Sequence, residues 1–458
     1  MIGLALLTLL KISQEMTLRK ILENLTYNFL QINMSLKVFF VSIFLFSLSI
    51  FSNITIEISR GTEEPPRIAI VPFLYDDQSI SYLLTNQISD NLSLFGEFEI
   101  IANSDLIAFP SSPEDFFYND WKTLDIDYVV AGFISLEEDT SKFIVNYFLF
   151  DIRQGRNLLN GTARSSADSL VLSSHKMSNR IYKQITGVDG IFTTKLMYIL
   201  NPEKDKYQLN ICDINGDNEI TLFDSPEPIM SPDWSPDGKK ISYVSFENGN
   251  SEIFIQDLSS GKRNSLRRYP GINSAPVWSP NGNYLAFVSS RSGNPDVYLY
   301  DLKTEKISRI TAHYGIDTEP SFSANGRKLL FTSNRSGTPQ LYEVSLITRK
   351  ISRITFDGNY NARGRYFPDG KNIVFVHRSD EKFHISIKRL GKSGLKMLTE
   401  TALDESPSVS PNNNFIIYAT KDAENGYLAG ISLDGLAKFK IPSKIGAIRE
   451  PVWSPFLN

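Results

Sequence analysis

The sequence predicts a small α/β domain followed by an all-β six-bladed propeller, and three observations carry that reading. The first is a column of bulky residues, Trp234, Trp278, Phe322, Tyr366, Val409 and Trp453, spaced 44, 44, 44, 43 and 44 residues apart. A period of about 40–45 residues with four short strands per unit marks the blades of a β-propeller. The second is that the two ends of the repeat array are each incomplete and complement one another. The third is that residues 67–190 mix strand and helix patterns instead of repeating.

Residues Met34 to Ser52, MSLKVFFVSIFLFSLSIFS, place Lys37 before an apolar run ending at Phe51. That run is short for a bilayer span of about 20 residues and has the length of a signal-peptide core, with Ser52 offering a cleavage point. Residues 34–52 are therefore read as a signal peptide, Met34 as the biological start and residues 1–33 as an extension ahead of it. The next segment, residues 53–66, alternates Ile54, Ile56 and Ile58 with Thr55 and Glu57 before a Pro65-Pro66 stop. This period of two is a strand pattern. Two placements are open: addition to the edge of another sheet, or a first strand within its own domain.

In the α/β domain, RIAIVPFLY reads as a buried strand, SISYLLTNQISDNLSLF as an amphipathic helix and FEII as a short strand. IDYVVAGFISL and KFIVNYFLFDI form a hairpin pair, and the closing helix is opened by Ser166 or Asp168 and ended by Gly187. No GxGxxG or GxxxxGK[ST] loop joins strand to helix, so no phosphate cradle is expected.

Residues 191–458 are the propeller. One unit reads directly as four strands, APVWSP, YLAFVSS, DVYLYDL and KISRIT. Asp237-Gly238, Asn281-Gly282, Asn325-Gly326 and Asp369-Gly370 join first strand to second, and such dipeptides suit tight hairpin turns that need positive φ. Proline stands two residues before the anchor in every unit except the fourth, which has Gly364. Lacking an N–H, proline belongs at an unpaired position of the innermost strand. The segment from Phe192 to Ser225 holds three strands without an anchor, and the C-terminal EPVWSP is an anchor strand without followers. Joined, they complete the sixth blade and leave no raw edge.

Composition narrows the function classes. Lys+Arg 47 against Asp+Glu 51 and a pI near 5.8 disfavour a general nucleic-acid binder, which needs a basic field. Cys212 is the single cysteine, so no intramolecular disulfide or CxxC pair is possible. Propellers also cap serine peptidases, but no GxSxG occurs, and His175, His313, His377 and His384 lie in unrelated segments. Asp213, Asn215, Asp217 and Asp224 occupy positions 1, 3, 5 and 12 of a calcium-loop pattern. Position 6 is Asn218 instead of glycine, and the segment falls between two blade strands, so a hairpin turn is expected there. The alternatives to a binding protein are thus a peptidase's propeller domain or a calcium-binding propeller module; no cofactor, metal or catalytic residue is assigned.

From Asn53 to Asn458 the order of parts resembles the TolB family of periplasmic Tol-Pal proteins. It comprises a leader, a short strand, an α/β domain opening RIAIVPF, repeats of the form WSPDGKKISYVSFENGN and a terminal WSPFL. The resemblance implies a non-enzymatic, monomeric adaptor that binds the lipoprotein Pal at the channel mouth and TolA through its N-terminal segment, and helps the outer membrane constrict at division. It carries Pal contact onto Asn273, Ala275, Thr318 and Glu319, and further onto Arg363, Glu405 and Arg449. Ile272 departs from the family's polar pattern. TolA contact falls on Ile54, Ile56, Glu57 and Ile58. The loops entering each innermost strand, from SPEPIMSP to KIGAIREP, differ from unit to unit and mix acids with bases, so the mouth is expected to be polar.

Overall fold

The computed structural model describes residues 55–58 (backbone only), 64–137, 140–266, 269–421, 426–441 and 445–457. The predicted leader, its upstream extension and Ile54 lie outside the described residues.

The α/β domain is built on a five-stranded sheet. Its strands follow β1 (Thr55–Ile58) in the chain: β2 (Arg67–Ile70), β3 (Glu99–Ile101), β4 (Tyr128–Leu136), β5 (Phe143–Asp151) and β6 (Arg156–Ser165). The order is β3-β2-β4-β5-β6, with β2 parallel to both neighbours and β4 to β6 antiparallel. Helices α1 (Gln78–Ser93) and α3 (Leu170–Thr186) cover one face. Asp77 starts α1 by accepting a hydrogen bond from the Ser79 backbone N–H at 2.9 Å, and left-handed Gly187 (φ 76°) ends α3. The segment carrying the short helix α2 (Tyr118–Lys122) covers the other face with Trp121 and Phe116, which stacks on Phe150 at 3.7 Å. Strand β6 has no counterpart in the sequence reading. Its RNLLNGTARS is polar because it forms the sheet edge.

The propeller has six blades. Blade 1 runs Ile229–Trp234, Lys240–Ser245, Glu252–Asp257 and Arg263–Ser265 from the axis outward. Blades 2 to 5 repeat the pattern from innermost strands Asn273–Trp278, Asp317–Phe322, Asn361–Tyr366 and Glu405–Val409. Blade 6 is assembled as expected: Ala447–Trp453 pairs antiparallel with Lys195–Asn201, the far end of the same domain. The Trp453 indole N–H donates to the Thr194 hydroxyl at 2.8 Å and locks the closure.

The Asp-Gly and Asn-Gly turns differ from expectation in one respect. Only the glycine is left-handed, with φ between 67° and 70° at Gly238, Gly282, Gly326 and Gly370. The preceding side chain instead braces a longer connection: Asp237 accepts from the Ser235 hydroxyl at 2.6 Å and the Lys239 N–H at 3.1 Å.

Strand β1 resolves the two open placements. It adds antiparallel to the outermost strand of blade 5, Ala437–Ile441, with Ile56 opposite Phe439, Glu57 opposite Lys438 and Ile58 opposite Ala437. The α/β domain itself packs on blades 5 and 6. Phe95 stacks on Phe415 at 4.2 Å and meets Phe439 edge-on, and the Asn412 amide donates to the Asp189 carbonyl at 2.9 Å. Burying one such ring is worth about 2–3 kcal/mol. These contacts use the ends of the blades that carry the 410–414 and 214–219 turns. The loops entering the innermost strands lie at the opposite ends and are left open.

Candidate binding face

The open face is shaped by one device repeated six times. Three residues before each anchor the innermost strand breaks register, and the residue there is left-handed: Ser231, Ala275, Glu319, Arg363, Ser406 and Glu450, with φ between 48° and 55°. Each is a β-bulge, which re-aims a side chain. Here all six residues line the channel. In five blades the next residue is the proline noted in the sequence, whose missing N–H costs nothing at a bulge.

The bulges bring charges from different blades together. The Arg363 guanidinium lies 3.1 Å from Glu319 and 3.9 Å from Glu405 and donates to the Ser406 hydroxyl, while its backbone N–H donates to Glu319 at 2.9 Å. Glu450 accepts from the Ser231 backbone N–H across the closing seam. Deeper in, Asp233 accepts from the Trp278 N–H at 2.7 Å and Ser408 from the Trp453 N–H at 2.9 Å, so neighbouring blades are latched through their anchors. Burial pushes the Asp233 carboxyl up to about 6, partly offset by Arg365, and burial also raises Glu450 against the pull of Arg363. Burial opposes the Arg363 charge, but Glu319, Glu450 and Glu405 more than reverse that, so its pKa rises. The channel encloses about 280 Å³.

Around this charged centre the entering loops expose large apolar side chains beside the exposed charges of Glu227, Asp357 and Arg449. Ile272 (53% exposed), Tyr314 (85%), Phe356 (68%) and Ile445 (63%) stand out, one from each of four entering loops, with Ile316 and Leu403 beside them. Several large apolar side chains exposed on one face of a protein mark it as a candidate interaction surface. The usable signal was a bulky apolar residue in each of several non-repeating loops.

The seven rim residues named from the sequence fall into different settings. Asn273 is buried and spent on the loop itself: its amide donates to the Tyr269 carbonyl at 2.8 Å and its oxygen accepts from the Ser289 hydroxyl at 2.9 Å. Ala275, Glu319 and Arg363 line the channel, Thr318 and Glu405 are half-buried beside it, and Arg449 is exposed. Ile56, Glu57 and Ile58 belong to β1 on the blade edge, away from the channel. The calcium-like segment is a hairpin turn. Asp213 is held by Lys195 at 2.5 Å and Asn218 at 2.6 Å, Asp217 by Asn215, and Asp224 by Gln208 across the strands. His313 accepts from the Gly315 N–H within its own loop, His175 bonds Asn91 in the α/β domain, and His377 faces His384 in blade 4.

Comparison with known proteins decides the family. A family model described as the TolB amino-terminal domain matches residues 54–158, and one described as the TolB beta propeller domain matches residues 182–457. The chain belongs to the TolB family. A Tol-Pal system protein TolB of Nitrosococcus oceani is 52% identical over 414 residues, covering 89% of this chain and 95% of that TolB. The TolB of Pseudomonas aeruginosa is 46% identical over 408 residues, covering 88% and 94%. A crystal structure of TolB from Acinetobacter baumannii superposes with a TM-score of 0.81 at 37% identity, covering 88% of this chain and all of that one. Membership of the TolB family assigns the chain to the Tol-Pal system of the bacterial envelope, and the six blades with their α/β domain are the TolB architecture.

Proposed function

We propose that the chain is a periplasmic, non-enzymatic adaptor. It binds the peptidoglycan-associated lipoprotein Pal through the open propeller face and TolA through the N-terminal segment, and it supports envelope integrity and outer-membrane constriction at division. The observation that carries the reading is the face itself: Ile272, Tyr314, Phe356 and Ile445 are exposed on four of the loops entering the innermost strands that carry the Glu319–Arg363 pair, on the side free of the α/β domain. Exposed apolar side chains supply burial, and a fixed charge pair supplies register against one partner. The N-terminal segment is a separable element, a fifth strand on a blade that is otherwise complete.

The test is binding. Glu319→Lys places two cations side by side at Arg363 and is expected to weaken Pal binding at least tenfold. Removing residues 53–61 is expected to spare Pal and abolish TolA binding. Unchanged Pal affinity in the first variant, or retained TolA binding in the second, refutes the corresponding half.

A further inference from the structure

The seam between blades 1 and 2 opens into a cavity of about 380 Å³ on the same face. It lies where the sequence of the repeat departs from its pattern. In blades 2, 3 and 4 the residue after the outermost strand's last apolar position is a threonine, and its hydroxyl accepts from a backbone N–H of the third strand. These bonds run from Val297 to Thr311, Leu341 to Thr355 and Ile385 to Thr399, at 2.9–3.0 Å. Leu266 of blade 1 makes the same backbone bond, to the Ile253 carbonyl, as Ile310, Ile354 and Leu398 make in theirs. The residue after Leu266 is Arg267, where the other three blades have threonine.

The walls are apolar below and aromatic at the sides: Ile253, Leu266, Phe287 and Ile307, with Tyr269 and Tyr300. They are also fixed in place. Asn273 ties the Tyr269 and Gly271 carbonyls into one loop and takes the Ser251 hydroxyl on its backbone N–H, and the Arg291 guanidinium lies 4.2 Å over the Tyr269 ring. Glu252 and Asn250 are among the polar residues of the lining. A cavity near the small end of the 300–1000 Å³ range of ligand sites suits one ring system, not an extended cofactor.

We propose that this cavity receives a tryptophan or tyrosine side chain of the protein partner seated on the rim. The inference rests on the reading under Proposed function, since the loop that roofs the cavity continues into exposed Ile272 and channel-lining Ala275. Aromatic anchors in preformed pockets dominate binding at such interfaces.

The experiment titrates the soluble domain of Pal into the full chain by calorimetry. Asn250 is exposed at the cavity mouth, so Asn250→Trp fills the cavity without disturbing the core; its melting temperature should match the wild type. Binding should weaken at least tenfold, and Tyr300→Ala should weaken it as well. Replacing one tryptophan or tyrosine of Pal by alanine should weaken binding to the wild type by a similar factor and leave binding to Asn250→Trp unchanged. Wild-type affinity in both cavity variants, or losses that simply add, overturns the assignment while leaving the adaptor reading standing. Absence of any wild-type binding removes both. Saturable binding of free N-acetyl-tryptophanamide that leaves Pal affinity untouched assigns the cavity to a small molecule and likewise overturns the proposal.

Discussion

Closing a ring through the chain's last strand makes the whole propeller depend on a few C-terminal residues, and Trp453 measures that dependence. Its side chain is buried at the joint between the two chain ends, with one hydrogen bond to Thr194. Truncating a buried tryptophan to alanine costs about 3–5 kcal/mol. The lost bond adds little, because the Thr194 hydroxyl also donates to the Ile191 carbonyl at 2.6 Å. With an unfolding entropy of about 2.1 cal/mol/K per residue over roughly 400 residues, the transition has a slope near 0.8 kcal/mol/K. Trp453→Ala should therefore lower the melting temperature by about 4–6 °C in scanning calorimetry. Trp453→Phe keeps most of the burial and should cost about a third of that. Deleting the last ten residues removes the strand pairing as well and should abolish the single cooperative transition. A truncated protein that melts at the wild-type temperature would refute closure through the tail.

Two further perturbations test the channel and the added strand. Asp233 is buried with its pKa raised from 3.8 to about 6, so between those values the folded state holds a proton that the unfolded state has released. Stability conferred by that proton is lost as pH rises from about 4 to 6, and Glu450 acts in the same direction. Asp233→Asn should flatten this part of the pH–stability curve and raise the melting temperature at pH 7 relative to wild type; an unchanged pH slope contradicts it. Ile56→Pro removes a donor from β1 and should speed amide exchange across residues 437–441 while shifting the melting temperature by under 1 °C, since blade 5 is complete without it. Loss of propeller stability in that variant would show β1 to be integral to the ring.

The repeat made most of the fold readable. Each unit carries its own anchor, apolar second strand and Gly-containing turn, so the blade count and the closure follow from spacing alone. What escaped the reading depends on tertiary placement. Strand β6 is polar because it lies at a sheet edge, where alternation is not enforced. The partner of β1 could not be read from four residues, because an edge strand's complement lies elsewhere in the chain. The left-handed conformations at Glu319, Arg363 and Glu450 run against local propensity and arise where the innermost strands bulge toward the axis. Their meeting was nonetheless available in the sequence. Glu319 and Arg363 are 44 residues apart, the same position in adjacent units, and equivalent positions of neighbouring blades face one channel. The mouth is mixed: Glu227, Asp357 and Arg449 are exposed there, as the loop composition suggests, alongside large apolar side chains. Acids such as Glu319 and Glu405 pair with Arg363, whereas Ile272, Tyr314 and Phe356 are left to meet solvent.

Hydrogen exchange of the full chain, measured with and without the soluble domain of Pal, locates the binding face most directly. Protection should concentrate in residues 269–274, 313–318 and 356–363 and leave the turns at 235–239, 279–283 and 410–414 unchanged. Protection of those opposite turns or of the α/β domain, with the rim loops exchanging as before, would contradict assignment of the open face as the partner site.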